Sequence, residues 1–409
     1  MKILIVTQYF WPENFRINDL AVGLKEKGHD VTVFTGLPNY PSGSFFKGYG
    51  FFKKKYREKY KGVDVYRVPL FPRGSGKGWE LVLNYLSYAF IASILGPLYF
   101  RKRFDAIFVF EVSPITVGIP AIVLKKIFKA PILFWVLDLW PESISSAGTI
   151  KSGNIINLVR ILVRFIYKQC DKILVSSKGF IPSIFQIDSR EDLISYFPNF
   201  IENVNSIESD APEDKYAQPL PSGFRIMYAG NIGYAQSFPT ILAAAEILKK
   251  YKDIHWIIIG DGRMGEWVNK QVYELGLTET VHLMGAYPQE AMPYYFDKSD
   301  VMLVSLRSEP NFALTVPGKI QSYLACGKPV IASIDGEGAE LILEAGAGIA
   351  CPAEDVYALV ESILAMYHCD PSVLKDMGER GKRFCELNFD RDVLIERLEQ
   401  LLIEVSQTR

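Results

Sequence analysis

Residues suited to holding an anion gather late in the chain. Val316-Pro317-Gly318-Lys319 leads into a predicted helix that Gly327 ends, and a β-branched strand, Val330-Ile331-Ala332, follows. Pro317 sets φ for a first helical turn, and Gly318 keeps side chains off the free amides there. Those amides carry about half a positive charge, and Lys319 adds a whole one beside them. A diphosphate fits such a loop, although a plain helix start with a solvated lysine fits the same residues. Two glycine-bearing turns repeat the theme. Gly230-Asn231-Ile232-Gly233 runs through Tyr234-Ala235-Gln236 into a helix near Ser237, and Gly260-Asp261-Gly262-Arg263 follows the next strand. Glycine lets a phosphate approach backbone amides closely. Each turn alone is also an ordinary strand-to-helix connection. Convergence of all three on one edge of one sheet is what points to an anion such as a diphosphate.

Carboxylates mark a second place. Asp138 closes the apolar strand Pro131–Leu137, and Glu142 follows in Asp138-Leu139-Trp140-Pro141-Glu142-Ser143. A carboxylate at the end of a buried strand is costly unless paired or catalytic, and here it would accept a proton or steer a hydroxyl. The competing reading makes Asp138 a turn cap and Glu142 an exposed first-turn residue. Pro12, Glu13, Asn14 and Arg16 lie in the first strand-to-helix turn, Gln8–Arg16, where open sheets bind ligands. That turn lacks GxGxxG, so a dinucleotide reading is weak. Gly36–Pro41 follows the second strand and lines the same rim.

Alternating strands and helices predict a doubly wound α/β architecture. Strands are expected at Lys2–Thr7, Val31–Thr35, Asp64–Val68, Asp105–Phe110, Pro131–Leu137, Lys172–Ser176 and Ile194–Phe197. A second series is expected at Arg225–Ala229, His255–Gly260, Thr280–Met284, Asp300–Ser305, Pro329–Ser333 and Gly348–Cys351. The chain has 409 residues, enough for two cores. Residues 1–205 form the expected first domain, rejoined by a final helix at 390–405. A polar, acidic linker is expected at 206–222 and a second domain at 223–389. The helix turns Val393, Leu394, Leu398, Leu401 and Leu402 to its apolar side. Two such domains would face a shared cleft.

A net charge of −1 argues against a general nucleic-acid binder, and five cysteines without CxxC spacing argue for a reducing cytosol. No leader is expected before the first strand. Leu81 to Phe100 is almost wholly apolar and of spanning length, but Asn84, Ser87 and Ser93 interrupt it and Gly96-Pro97 is expected to kink it. Upstream, Phe51, Phe52, Lys53, Lys54 and Lys55 mix aromatic and basic residues, as a membrane-facing loop does. Peripheral or monotopic attachment is the expectation, against a buried helix beside a solvated loop.

Several segments resemble the family-4 glycosyltransferases of the GT-B fold: Lys27–Val33, Pro198-Asn199-Phe200-Ile201-Glu202, Tyr228–Gly233 and Ile258–Gly262. Asp138–Ser143 and Val316–Lys319 resemble enzymes of bacterial surface-polysaccharide synthesis, and the opening through Pro41 resembles O-antigen N-acetyl-L-fucosamine transferases of the WbuB type. The resemblance implies a UDP-sugar donor and an undecaprenyl-diphosphate-linked saccharide acceptor at the cytoplasmic face of the inner membrane. It implies acceptor binding by the first domain, nucleotide-sugar binding by the second, and no cofactor. No Asp-x-Asp metal-diphosphate motif is expected in the chain, so no metal is expected either, and no nucleic acid. It also exposes departures. Asn231 and Gln236 stand where family members carry an arginine and a lysine, and Leu314 and Ser322 replace a glutamate pair. Lys319 and Arg307 would then supply charge, Glu309 would reach a ribose, and Ser322 would give a weaker hydrogen bond. No histidine stands near Asp138, which inherits the acceptor-orienting role. The rival readings are a UDP-sugar 2-epimerase of the same fold and a non-catalytic scaffold in a polysaccharide-assembly complex.

Overall fold

The computed structural model describes residues 1–53, 55–146, 152–201 and 218–407, with backbone only at Ser145, Ser146 and Gln289. The chain divides into two compact units: residues 1–198 with the segment from Asp392 onward, and residues 199–391. Most of the expected linker, residues 206–217, lies outside the described residues.

The first unit is built on eight strands: β1 (Lys2–Val6), β2 (Asp30–Gly36), β3 (Arg57–Tyr60), β4 (Val63–Val68), β5 (Ala106–Glu111), β6 (Ile132–Val136), β7 (Lys172–Val175) and β8 (Ile194–Tyr196). Their order is β3-β4-β2-β1-β5-β6-β7-β8, and all pairs are parallel except β3 with β4. Central parallel strands are covered on both faces, so they read as unbroken apolar runs; every residue of β5 and β6 is buried. Edge strand β3 was not expected, because its sequence Arg-Glu-Lys-Tyr alternates half-buried and exposed positions. The guanidinium of its Arg57 lies over the rings of Tyr66 (5.2 Å) and Tyr99 (5.4 Å).

Helices α1 (Ile17–Glu26), α2 (Gly78–Tyr99), α3 (Gly118–Phe128), α4 (Glu142–Ser146), α5 (Gly153–Lys168) and α6 (Phe180–Ile187) connect these strands. The polar residues that interrupt α2 face inward: Asn84 and Ser87 are buried with Tyr88, Ala89, Ala92 and Gly96. The opposite face exposes Val82, Leu86, Phe90, Ile94 and Leu98, a stripe at four-residue spacing. Pro97 does not break the helix, which continues to Tyr99. By length and composition α2 is able to cross a membrane.

The second unit carries a parallel sheet of β9 (Phe224–Ala229), β10 (Ile254–Ile259), β11 (Val281–Gly285), β12 (Val301–Ser305), β13 (Val330–Ser333) and β14 (Gly348–Cys351), ordered β11-β10-β9-β12-β13-β14. Around it run α7 (Phe238–Ile247), α8 (Gly265–Glu274), α9 (Met292–Asp297), α10 (Pro310–Ala313), α11 (Gly318–Ala325), α12 (Glu337–Glu344), α13 (Val356–Tyr367) and α14 (Pro371–Asn388). Because β9 lies between β10 and β12, the segments that leave these three strands emerge side by side.

The last helix, α15 (Arg391–Gln407), buries Leu394, Ile395, Leu398, Leu402 and Val405. The expected apolar side was rotated by about one residue, since Val393 is exposed. Glu399 fixes the helix to the first unit through His29 (2.8 Å) and Lys27 (3.5 Å).

Candidate functional site

The three anion-suited segments do converge. A Cβ placed on Gly260 would lie 1.8 Å from the Gly230 carbonyl oxygen, and one on Gly262 would lie 2.4 Å from that of Ile232. Only glycine allows the two turns to pack so closely. Hydrogen bonds from Gly230 N to Ile259 O and from Ile232 N to Asp261 O join them. Gly230 has φ +144°, and a Cβ there would approach Lys319 Nζ to 3.1 Å, so Lys319 lies directly against this turn. The Tyr323 hydroxyl, one helical turn beyond Lys319, bonds both the N–H and the carbonyl of Ala229 at 2.9 Å. That clamp holds α11 against the end of β9.

Lys319 Nζ is sealed from solvent, has no hydrogen-bond partner among the described residues, and sits 3.9 Å from the centroid of the Tyr228 ring. Burial pushes its pKa down to about 7. An ammonium in such a place is unfavourable unless an anion joins it. The aromatic face beneath it offsets only part of that cost.

The other donor-side residues surround this centre with altered roles. Gln236 does not point at an anion: its Oε1 accepts from Gly233 N (3.2 Å) and Asn231 Nδ2 (3.4 Å), closing the turn on itself. Arg307 is no free cation either, since it pairs with Glu354 (3.3 Å) and stacks 4.0 Å over Tyr234. Glu354 was missed in the sequence, and it lies far from Arg307 along the chain. Glu309 begins α10 with its carboxylate unengaged by described residues, and its N–H bonds Arg307 O. Ser322 stands on α11 one turn from Lys319.

At the first sheet, β5 and β6 end beside each other. Asp138, just past β6, is half-buried and accepts from Ser143 Oγ. Burial raises its pKa, while hydrogen bonding, led by Ser143, pulls the other way. Glu142 is half-buried at the start of α4. Behind Asp138 lies an acid that the sequence reading overlooked. Glu111, the last residue of β5, is wholly buried; the backbone N–H groups of Asp138 and Leu137 lie near its carboxyl, but among the described residues neither oxygen has a hydrogen-bond partner of good geometry. Burial and then the Asp138 charge push its pKa well above the usual carboxylate range. The buried Tyr167 hydroxyl on α5 is likewise unpartnered, and burial and then Glu111 raise its pKa far above normal. Two adjacent carboxyls without a cation favour one shared negative charge over two.

The first turn corrects another expectation. Glu13 is buried rather than turned to the rim, and it accepts from Phe10 N (3.1 Å), Asn39 N (2.8 Å) and Tyr40 N (2.8 Å). Burial raises its pKa to about 7 against those three donors. Its role is to hold the loops after β1 and β2 together. Pro12 and Arg16 are half-buried and Asn14 is exposed. Among the membrane-loop residues, Phe52 is almost fully exposed, Phe51 meets Phe71 edge-on at 6.4 Å, Lys53 is exposed, and Lys55 lies over Tyr49. Lys54 lies outside the described residues.

The sequence does contain one Asp-x-Asp triplet, Asp390-Arg391-Asp392, at the start of α15. Among the described residues no group of three His, Cys, Asp or Glu side chains is placed to hold a metal ion.

Comparisons with known proteins agree with this architecture. Residues 14–199 match a family model described as a glycosyl transferase 4-like domain, and residues 223–369 match glycosyl transferases group 1. The putative colanic acid biosynthesis glycosyl transferase WcaI of Escherichia coli is 24% identical over 341 residues, 80% of this chain and 82% of that protein. A GDP-mannose-dependent alpha-(1-6)-phosphatidylinositol monomannoside mannosyltransferase of Mycolicibacterium smegmatis is 28% identical over 40% of this chain and 43% of its own length. Among solved structures, sucrose-phosphate synthase from Thermosynechococcus elongatus superposes with a TM-score of 0.75 at 16% identity, covering 100% of this chain and 99% of that one. Anabaena Alr3699/HepE, in complex with UDP and glucose, gives a TM-score of 0.68 at 16% identity, with 98% and 99% covered.

Proposed function

The chain is a glycosyltransferase of the GT-B fold, and from that premise we propose that it moves a sugar from a UDP-sugar to a lipid-linked saccharide during surface-polysaccharide synthesis. The observation that carries the donor half is Lys319: a buried, unpartnered amine against the Gly230 turn. As the bond from the anomeric carbon to the diphosphate breaks, negative charge grows on the leaving oxygens. Lys319, together with turn amides not already bonded, meets that charge. The acceptor hydroxyl forms the new C–O bond, and Asp138 orients it and takes its proton. Donor binding thus falls to the second unit and acceptor activation to the first.

Two observations support a lipid-linked acceptor at a membrane surface. The α2 stripe exposes Leu86, Phe90 and Leu98 to more than half of their full surface, and Phe52 stands free beside basic residues. Apolar contact plus basic charge is the requirement for attachment to an anionic leaflet. The relatives are consistent with such a role, one being named for colanic acid and another for a phosphatidylinositol mannoside. The narrow reading is transfer of N-acetyl-L-fucosamine into an O-antigen of lipopolysaccharide, at the cytoplasmic face of the inner membrane and without a metal.

A panel of UDP- and GDP-sugars, offered with a synthetic lipid-diphosphate-N-acetylglucosamine and read by mass spectrometry, tests this. Addition of an N-acetyl-deoxyhexose from UDP is expected. Transfer of only a different sugar removes the narrow reading, and use of GDP-sugars alone removes the UDP assignment.

A further inference from the structure

The first unit holds a second cation whose charge no acid compensates. Arg73 follows β4, and its Nη1 donates to the hydroxyls of Tyr9 (2.5 Å) and Tyr85 (3.3 Å). The guanidinium lies over the rings of Tyr40 (5.4 Å), Tyr85 (5.6 Å) and Tyr9 (5.9 Å). Phe15 closes the group by stacking on Tyr9 at 5.1 Å. Among the described residues no carboxylate lies within ion-pair distance of Arg73, and nothing accepts from its Nε or Nη2. Phenols and ring faces fix the direction of a guanidinium without cancelling its charge. The free edge keeps two N–H groups side by side, which is the geometry that binds phosphate oxygens in pairs.

A buried network sets this pose. Arg73 N donates to Asn39 Oδ1 (3.1 Å), which also accepts from Asn84 Nδ2 (3.4 Å). Asn84 in turn bonds Phe71 O (2.5 Å) and accepts from Gln8 Nε2 (2.7 Å). Asn39 and Asn84 are completely buried. The loops after β1, β2 and β4 and the first turns of α2 are thereby tied to one another. Tyr85 belongs to α2, beside the exposed Val82 and Leu86, and Phe71 is exposed two residues before Arg73. The cation therefore stands where the apolar stripe reaches the ligand-binding edge of the sheet.

A molecule that suits this place carries phosphate between a lipid tail and a sugar. We propose that Arg73 binds the diphosphate of the lipid-linked acceptor. The inference rests on the lipid-acceptor reading above.

Two acceptors of identical sugar and alkyl chain, one joined through a diphosphate and one through a plain glycosidic oxygen, test it with the full-length enzyme. The unaltered protein should show a lower KM for the diphosphate form, by about 10- to 100-fold. In Arg73→Gln that ratio should collapse toward one, and Arg73→Lys should restore part of it. Melting curves of both variants establish that they fold. If the unaltered enzyme discriminates and Arg73→Gln still does, Arg73 is not the contact, while the lipid-acceptor reading stands. If the unaltered enzyme never discriminates, the diphosphate acceptor falls and this inference falls with it. Sedimentation with anionic phospholipid vesicles separates the other source of phosphate. Arg73→Gln should bind them as the parent does, and a loss in proportion to the KM effect would assign the contact to a lipid headgroup.

Discussion

Lys319 and Glu111 are both ionisable groups buried without a well-formed hydrogen bond among the described residues, yet their surroundings are built in opposite ways. Around Lys319 the wall is backbone: glycines at 230, 260 and 262 bring two turns into contact and leave the amine against one of them. Around Glu111 the wall is side chain, with Asp138 in front and Tyr167 close by. A lone cation in a glycine nest is waiting for an anion. Two carboxyls without a cation instead hold back one charge between them, which leaves Asp138 as the member that reaches solvent. On the proposed reading, the same burial therefore serves anion binding in one unit and proton handling in the other.

Substitutions that break each half should act on different constants. Asp138→Asn has the largest expected effect, a fall in kcat of about 10²- to 10⁴-fold with little change in donor KM. Steady-state kinetics with both substrates varied would show it, and a loss confined to donor KM would merge the two roles. Lys319→Met should lower kcat/KM for the donor by about 10²-fold and do so through donor binding.

Lys319→Met also carries a pH signature. The unfolded chain keeps this lysine charged up to its ordinary value of 10.5, whereas the folded protein releases the proton near 7. Between those values the folded state binds fewer protons, so its stability rises with pH. The methionine variant should thus melt higher at pH 7, on the order of 2–4 °C, and lose that advantage as pH approaches 10.5. For the parent enzyme, donor KM should climb above pH 7 by up to about tenfold per unit, and the variant should show no such rise.

Gly230→Ala should be milder in kinetics but visible in stability. With φ at +144° and Lys319 Nζ at 3.1 Å from the new methyl, a cost of about 1–3 kcal/mol is expected in denaturant unfolding. The smallest effect belongs to Glu111→Gln, which replaces a protonated carboxyl by a neutral group of the same shape. Its kcat at neutral pH should stay within a fewfold of the parent. At alkaline pH the variant should outlast the parent, because no second charge appears beside Asp138. Identical pH profiles would show that the two carboxyls do not titrate together.

The sequence exposes the donor turns well because backbone demands leave a trace in residue type. A positive φ or a close approach calls for glycine, and a helix start favours proline, so Gly230, Gly260 and Pro317 could be read directly. Side-chain partnerships leave no such trace. Glu354 reaches Arg307 and Asn84 reaches Asn39 only through tertiary folding. In the sequence Asn84 reads as a polar interruption of an apolar helix, because periodicity alone does not say which face is buried. Glu111 is different, since the rule that marked Asp138 marks it equally. A carboxylate ends the buried run Phe108-Val109-Phe110-Glu111, and that signal was available in the sequence.

The central claim is that Lys319 is the cation for the donor diphosphate, and titration calorimetry of UDP with the parent and Lys319→Met tests it most directly. Performed at pH 8 in two buffers of different ionisation enthalpy, binding to the parent should take up part of a proton. The variant should bind at least about tenfold more weakly with no uptake. Equal affinity for the two proteins, with no proton exchanged by either, would contradict the account.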